Sequence, residues 1–128
     1  MKRLAFFGAM NRDVVAAVDA QDLMDALGID ARPLVETPVS DALADAGVAR
    51  LAGQGAETVL GGSAFNVARV VSLLDKSTRT LALRALGLAG QVGAAYPHLE
   101  ALAHWGVDAE GVVRCAEAPA TCIALVEP

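Results

Sequence analysis

Several large protein classes are excluded by what this chain lacks. Aromatic residues make up only 4% of it, and ten basic residues stand against fifteen acidic ones for a net charge of −5. No Lys/Arg cluster or aromatic-basic stripe breaks this pattern, so a phosphate backbone would mostly be repelled and nucleic acid is excluded as an expected partner. Long hydrophobic runs are also missing. The longest uncharged stretch, Ala85 to Leu99, is shorter than a bilayer span and is broken by Gly87, Gly90, Gly93 and Pro97, so no membrane-spanning segment is expected. Leu4 to Met10 is cut by Asn11, Arg12 and Asp13 at the minimum length of a signal-peptide core, and reads instead as a first strand. The two cysteines, Cys115 and Cys122, form no CxxC and have no His ligand pattern nearby. They are expected to be small core residues in a reducing cytosol, which places the protein in the cytoplasm.

What is present is an apolar, packable chain. At 128 residues and 55% hydrophobic content it is long enough for one domain with a real core and too apolar to be disordered. Leu4 to Phe7, apolar on both faces and ended by Gly8, predicts a buried, central parallel strand. Asp13 to Asp19 continues as an extended segment. Gln21 to Leu27 predicts a helix stopped by Gly28. A second helix is expected to start near Thr37-Pro38 and run to Leu51. Glu57 to Leu60 reads as a strand, and the run from Gly62 past Val71 as a helix with an apolar face wide enough for burial against a sheet. Thr80 to Leu86 predicts a strand, Ala94 to Trp105 a helix, and Val112-Val113 and Thr121 to Val126 two more strands. Strands alternating with helices predict an α/β architecture with βαβ units.

Two polar groupings stand out. Asn11 and Asp13 follow the first strand at its carboxyl end, where open parallel sheets place ligand-binding groups, although an Asx-turn accounts for them equally simply. Gly61-Gly62 lies at a strand-to-helix turn, where glycines let backbone approach a ligand and leave N–H groups free, and Asn66 follows one turn later. A carboxylate, amides and a glycine corner can divide the hydroxyls of a small polyol between donors and acceptors. Other motifs carry less. Gly87-x-x-Gly90 lacks the spacing of a dinucleotide fingerprint and has no acidic residue about twenty positions on at a strand end. His98 and His104, six apart, do not share a helix face for a metal and are expected at the surface or the core edge. Trp105 is expected to pack the helix end beneath the sheet, and Glu100, Asp108 and Glu110 read as a solvated face.

Gly8-Ala9-Met10-Asn11-Arg12-Asp13, Gly61-Gly62-Ser63-Ala64-Phe65-Asn66-Val67-Ala68, Gly87-Leu88-Ala89-Gly90, Trp105-Gly106-Val107-Asp108 and Ala118-Pro119-Ala120-Thr121 occur in the order and spacing of landmarks in the ribokinase family, also called PfkB carbohydrate kinases. The longer segment before Gly61-Gly62 is more similar to the adenosine kinase-like branch. The resemblance implies an amino-terminal portion of a ribokinase-like αβα sandwich with a small lid, the lid elements falling roughly within 13–60 and the nucleotide-binding half lying outside residues 1–128. It implies an ATP-dependent sugar or nucleoside kinase acting on an alcohol group. Asp13 would accept hydrogen bonds from sugar hydroxyls, with Asn11 shaping the pocket. Gly61 and Gly62 would form the hinge between core and lid, and Asn66 would contact the same sugar. Ser63 stands where ribokinases often carry Lys, and Val92 where the family usually has Asp. ATP and Mg2+ are implied for the full-length family and not for this chain alone, in which no catalytic residue and no metal ligand is assigned. A small-molecule sugar or nucleoside is the implied partner, with a homodimer left open. The isolated chain is expected to show no kinase turnover. The alternative is a non-catalytic small-molecule-binding or dimerisation module of the same fold.

Overall fold

The structure, a computed structural model, describes residues 1–30, 32 and 35–127. Its elements are β1 (Lys2–Phe7), β2 (Asn11–Ala17), α1 (Ala20–Leu27), α2 (Asp41–Leu51), β3 (Glu57–Gly61), α3 (Ser63–Asp75), β4 (Leu81–Ala89), α4 (Pro97–His104), β5 (Asp108–Arg114) and β6 (Thr121–Val126). They form two compact units, Met1–Arg12 with Leu60–Ala120, and Asp13–Val59 with Thr121–Pro128.

The first unit is built on a parallel sheet of order β1-β4-β5. β1 runs beside β4 from Lys2↔Leu81 to Phe7↔Leu86 without a break. Between Arg84↔Asp108 and Leu86↔Gly111 the β4–β5 register shifts, so β5 carries an extra residue there, a bulge. A Cβ on Gly111 would overlap the end of the Leu86 side chain, which would have to move to make room for it. α3 packs on β1 and β4, and α4 on β4 and β5. Period-two alternation brings Phe6, Leu83, Ala85 and Val112 into the core, where they meet Phe65, Ala68 and Leu102 from the helices.

β1 is not the central strand that its apolar run predicts. It lies at the edge of this sheet, and Phe7 is 82% exposed. The doubly apolar pattern of Leu4 to Phe7 reflects a strand of which only Phe6 is buried. α3 likewise buries Phe65 and Ala68 but leaves Val67, Val70, Leu73 and Leu74 exposed, a narrower contact than its sequence predicts.

In the second unit, β2 lies between β3 and β6, and Val14, Ala16, Leu23 and Leu51 form the core with Ile123 and Leu125 packed against it. Asp19 caps α1 by accepting from the Gln21 and Asp22 amides, and Gly28 ends it in the left-handed region at φ 64°. α2 starts later than Thr37-Pro38. Ser40 is its N-cap, accepting from the Leu43 amide at 3.3 Å, with Asp41 placed favourably in the first turn. α4 also starts later than Ala94, with Pro97 in its first turn after a turn closed by the Val92↔Ala95 bridge.

The cysteines are not core residues: Cys115 is half-buried and Cys122 exposed. Cys115 Sγ donates to the Glu117 carboxylate, which that bond holds below its usual pKa range. His98 is buried, contrary to the surface or core-edge position expected of it.

Candidate functional site

Three backbone segments converge at the carboxyl end of β1 and β4. Gly62, between β3 and α3, has φ 103° and ψ 130°, a conformation open to glycine. A Cβ there would overlap the Ala9 carbonyl oxygen and lie 3.2 Å from Met10 Cα. Gly8 also sits close to α3, where an added Cβ would come within 2.9 Å of Ala64 Cβ. At Gly87 (φ 151°) a Cβ would overlap the Gly8 carbonyl. The loop from Gly8 to Met10 is therefore wedged between the start of α3 and the end of β4. This is the position at which parallel α/β sheets gather ligand-binding groups. Gly90 backs onto the Ala118–Pro119 backbone without room for a Cβ, so Gly87-x-x-Gly90 serves close main-chain packing at both of its glycines.

Asn11 and Asp13 open β2, both half-buried, and their i, i+2 spacing puts them on one face of the strand. Asp13 begins the second compact unit, while Asn11 belongs to the first. The Asn11 carbonyl oxygen lies 2.9 Å from His98 Nε2. Next to it, the Arg12 amide donates to the Ala120 carbonyl at 2.8 Å, tying the strand start to the segment that leads into β6. Gly61 is buried as the last residue of β3. Asn66 is exposed in the first turn of α3, its amide donating to the Gly62 carbonyl at 2.9 Å. No side chain caps α3. Its early N–H groups therefore remain to be satisfied by solvent or a ligand.

The structure thus brings the Gly61-Gly62 corner against the backbone that leads directly into Asn11, with Asn66 one turn further along α3. Chemically, these segments of the first unit offer amide donors and acceptors and main-chain N–H groups, a composition matched to hydroxyls. The acidic surroundings of Asp13 extend to Cys122, whose thiol pKa is pushed up first by burial and then by the charges of Asp13 and Glu36. Among the described residues there is no group of three or more His, Cys, Asp or Glu that could hold a metal ion. No helix among them is long and apolar enough to cross a membrane. Two open hollows lie elsewhere, one of about 480 Å³ beside Gln21, Asp25 and Asp30, and one of about 620 Å³ beside Lys2, Arg79 and Thr80.

Sequence reasoning missed the aromatic support beneath these segments. Phe65 meets His98 edge-on, centroids 4.7 Å apart, and Trp105 at 4.9 Å. The apolar face of α3 points to Phe65, but nothing local marks His98 as its neighbour.

The class defined by these features is α/β, a partial ribokinase-like fold. In particular, the chain is similar to Anopheles gambiae adenosine kinase, solved in complex with P1,P4-di(adenosine-5) tetraphosphate, with 25% identity and a TM-score of 0.72 over 95% of this chain and 34% of that one. Adenosine kinase from Schistosoma mansoni is similar in two structures, one with 2-fluoroadenosine and one with adenosine in an occluded loop conformation, at TM-scores of 0.60 and 0.56. Both cover 98% of this chain and 31% of the other, and at 8% identity they show the fold alone. The chain spans about a third of the length of the structures it matches. No protein-family model matches the sequence, and no curated protein matches it.

Proposed function

We propose that this chain is the acceptor-binding part of an ATP-dependent nucleoside or sugar kinase, and that it takes an adenosine-like nucleoside. The observation that carries the reading is the packing of the Gly61-Gly62 corner on the Ala9–Met10 backbone ahead of Asn11, in a fold shared with adenosine kinases. In this reading Asp13 accepts hydrogen bonds from the sugar hydroxyls, Asn11 and Asn66 supply amide contacts, and the backbone at Gly61 and Gly62 closes against the sugar. The elements of the small lid fall roughly within residues 13–60.

Phosphoryl transfer depends on positioning the accepting hydroxyl and on stabilising charge at the transferring group. The residues named here address the first requirement: they hold and orient the alcohol. ATP is the second substrate, and none of these residues is assigned to it.

Calorimetric titration of adenosine into the chain and its Asp13→Ala variant tests the reading. Loss of charge-assisted hydrogen bonds to hydroxyls predicts a Kd weakened by about 10- to 100-fold, corresponding to about 1.5–3 kcal/mol. Equal affinity in the two proteins would remove Asp13 from the site. Absence of adenosine binding by the unsubstituted chain would remove the site altogether.

A further inference from the structure

Among the described residues, His98 is a polar side chain buried in the core with no measurable exposure. It stands next to Pro97 in the first turn of α4, yet its Nε2 reaches the Asn11 carbonyl, 87 residues away in sequence, at 2.9 Å. A carbonyl oxygen can only accept, so Nε2 carries the proton and donates it. The same ring meets Phe65 at an interplanar angle of 75°, an edge-to-face contact. Phe65 immediately precedes Asn66 on α3. One imidazole therefore joins the start of β2 to the first turn of α3, the two segments of the first unit that bear the amides of the acceptor site.

An aliphatic residue could fill this volume. It could not satisfy the Asn11 carbonyl, and a buried acceptor left without its donor is costly. The donor fixes the main chain at Asn11, and the ring fixes Phe65, so the geometry of both amides depends on one side chain that need not touch the ligand. We propose that His98 is a positioning residue of the acceptor site, acting through the Asn11 carbonyl and the Phe65 ring. The proposal rests on the acceptor-site reading given above.

Two substitutions separate the donor from the ring: His98→Phe keeps an aromatic against Phe65 and loses the donor, while His98→Gln keeps an N–H donor of similar reach. Adenosine binding is measured by calorimetry on the full chain, and backbone amide exchange by NMR at residues 10–13 and 63–66. His98→Phe is expected to weaken adenosine by about tenfold and to speed exchange at both segments. His98→Gln is expected to stay within about threefold of the unsubstituted chain and to restore protection at residues 10–13. If His98→Gln fails as fully as His98→Phe, or if neither alters affinity and exchange, the inference is overturned.

Should His98→Phe not fold, the unsubstituted protein still decides the matter. Its 15N-labelled imidazole must show a protonated Nε2 coupled to the Asn11 carbonyl, and a bare Nε2 overturns the proposal. If the unsubstituted chain binds no adenosine, the acceptor reading fails separately, and the exchange data decide whether His98 clamps the two segments.

Discussion

At Gly62 a single methyl group would meet the Ala9 carbonyl oxygen on a backbone with φ 103°, whereas at Gly28, φ 64°, it would meet nothing within 4 Å. The two sites differ both in what an added Cβ meets and in how strained the backbone would be with one. Gly28→Ala is expected to cost about 1 kcal/mol, the ordinary penalty of a left-handed residue with a Cβ. Gly62→Ala is expected to cost about 3 kcal/mol or more, since strain of this kind is joined by displacement of the Ala9–Met10 backbone. Urea unfolding measures both, and equal losses at the two sites would show that the corner is not tightly seated. The glycine pair before a helical run was legible in the sequence because the requirement is local: a strand ends, a helix begins and the chain must turn. His98 was not legible. Its partner is a main-chain carbonyl far away in sequence, and an imidazole on a short helix has the same local pattern whether it faces solvent or core.

At the scale of elements, the turn from α3 into β4 is organised by one carboxylate. Asp75 accepts from Thr78 Oγ1 at 2.6 Å, Thr80 Oγ1 at 2.9 Å, and the Thr80 and Leu81 amides at 3.0 Å each. These bonds, that of Thr78 foremost, lower its pKa from 3.8 to about 2. A folded pKa below the unfolded one means that the group's contribution to stability is complete above pH 3.8 and is lost as the pH falls through about 2. Asp75→Asn should therefore unfold at lower urea than the unsubstituted chain near neutral pH, with the two curves converging toward about pH 2. A constant gap down to that pH would show that the carboxylate charge does not hold the turn. Element identity was largely readable from period and punctuation, as with α1, bounded by Asp19 and Gly28. The order of strands was not, because β1 shows the same apolar run whether it is paired on one side or two. Its place beside β4 is decided by pairings made across the whole first unit.

The parallel sheet of the first unit carries α3 and α4 on the face that holds Phe6, Leu83 and Ala85. The opposite face bears a continuous apolar row. Phe7 pairs with Leu86, Leu88 pairs with Val113, and alternation along β4 places Leu86 and Leu88 on the same side. Phe7, Leu88 and Val113 are 82%, 59% and 60% exposed. Parallel sheets ordinarily bury both faces, and contiguous apolar patches of this kind mark surfaces that bind something. The purified 128-residue chain should therefore enhance the fluorescence of a hydrophobic dye and sediment in a concentration-dependent manner. A Phe7→Lys, Leu88→Lys double variant tests the assignment directly. Neither side chain belongs to the core, so the urea midpoint should change little while dye binding and self-association fall together. A sharp monomer without dye enhancement in the unsubstituted protein would show that this face does not behave as exposed apolar surface. Unchanged association in the double variant would instead move the responsible contact to the outer stripe of α3, where Val67, Val70 and Leu74 are also exposed.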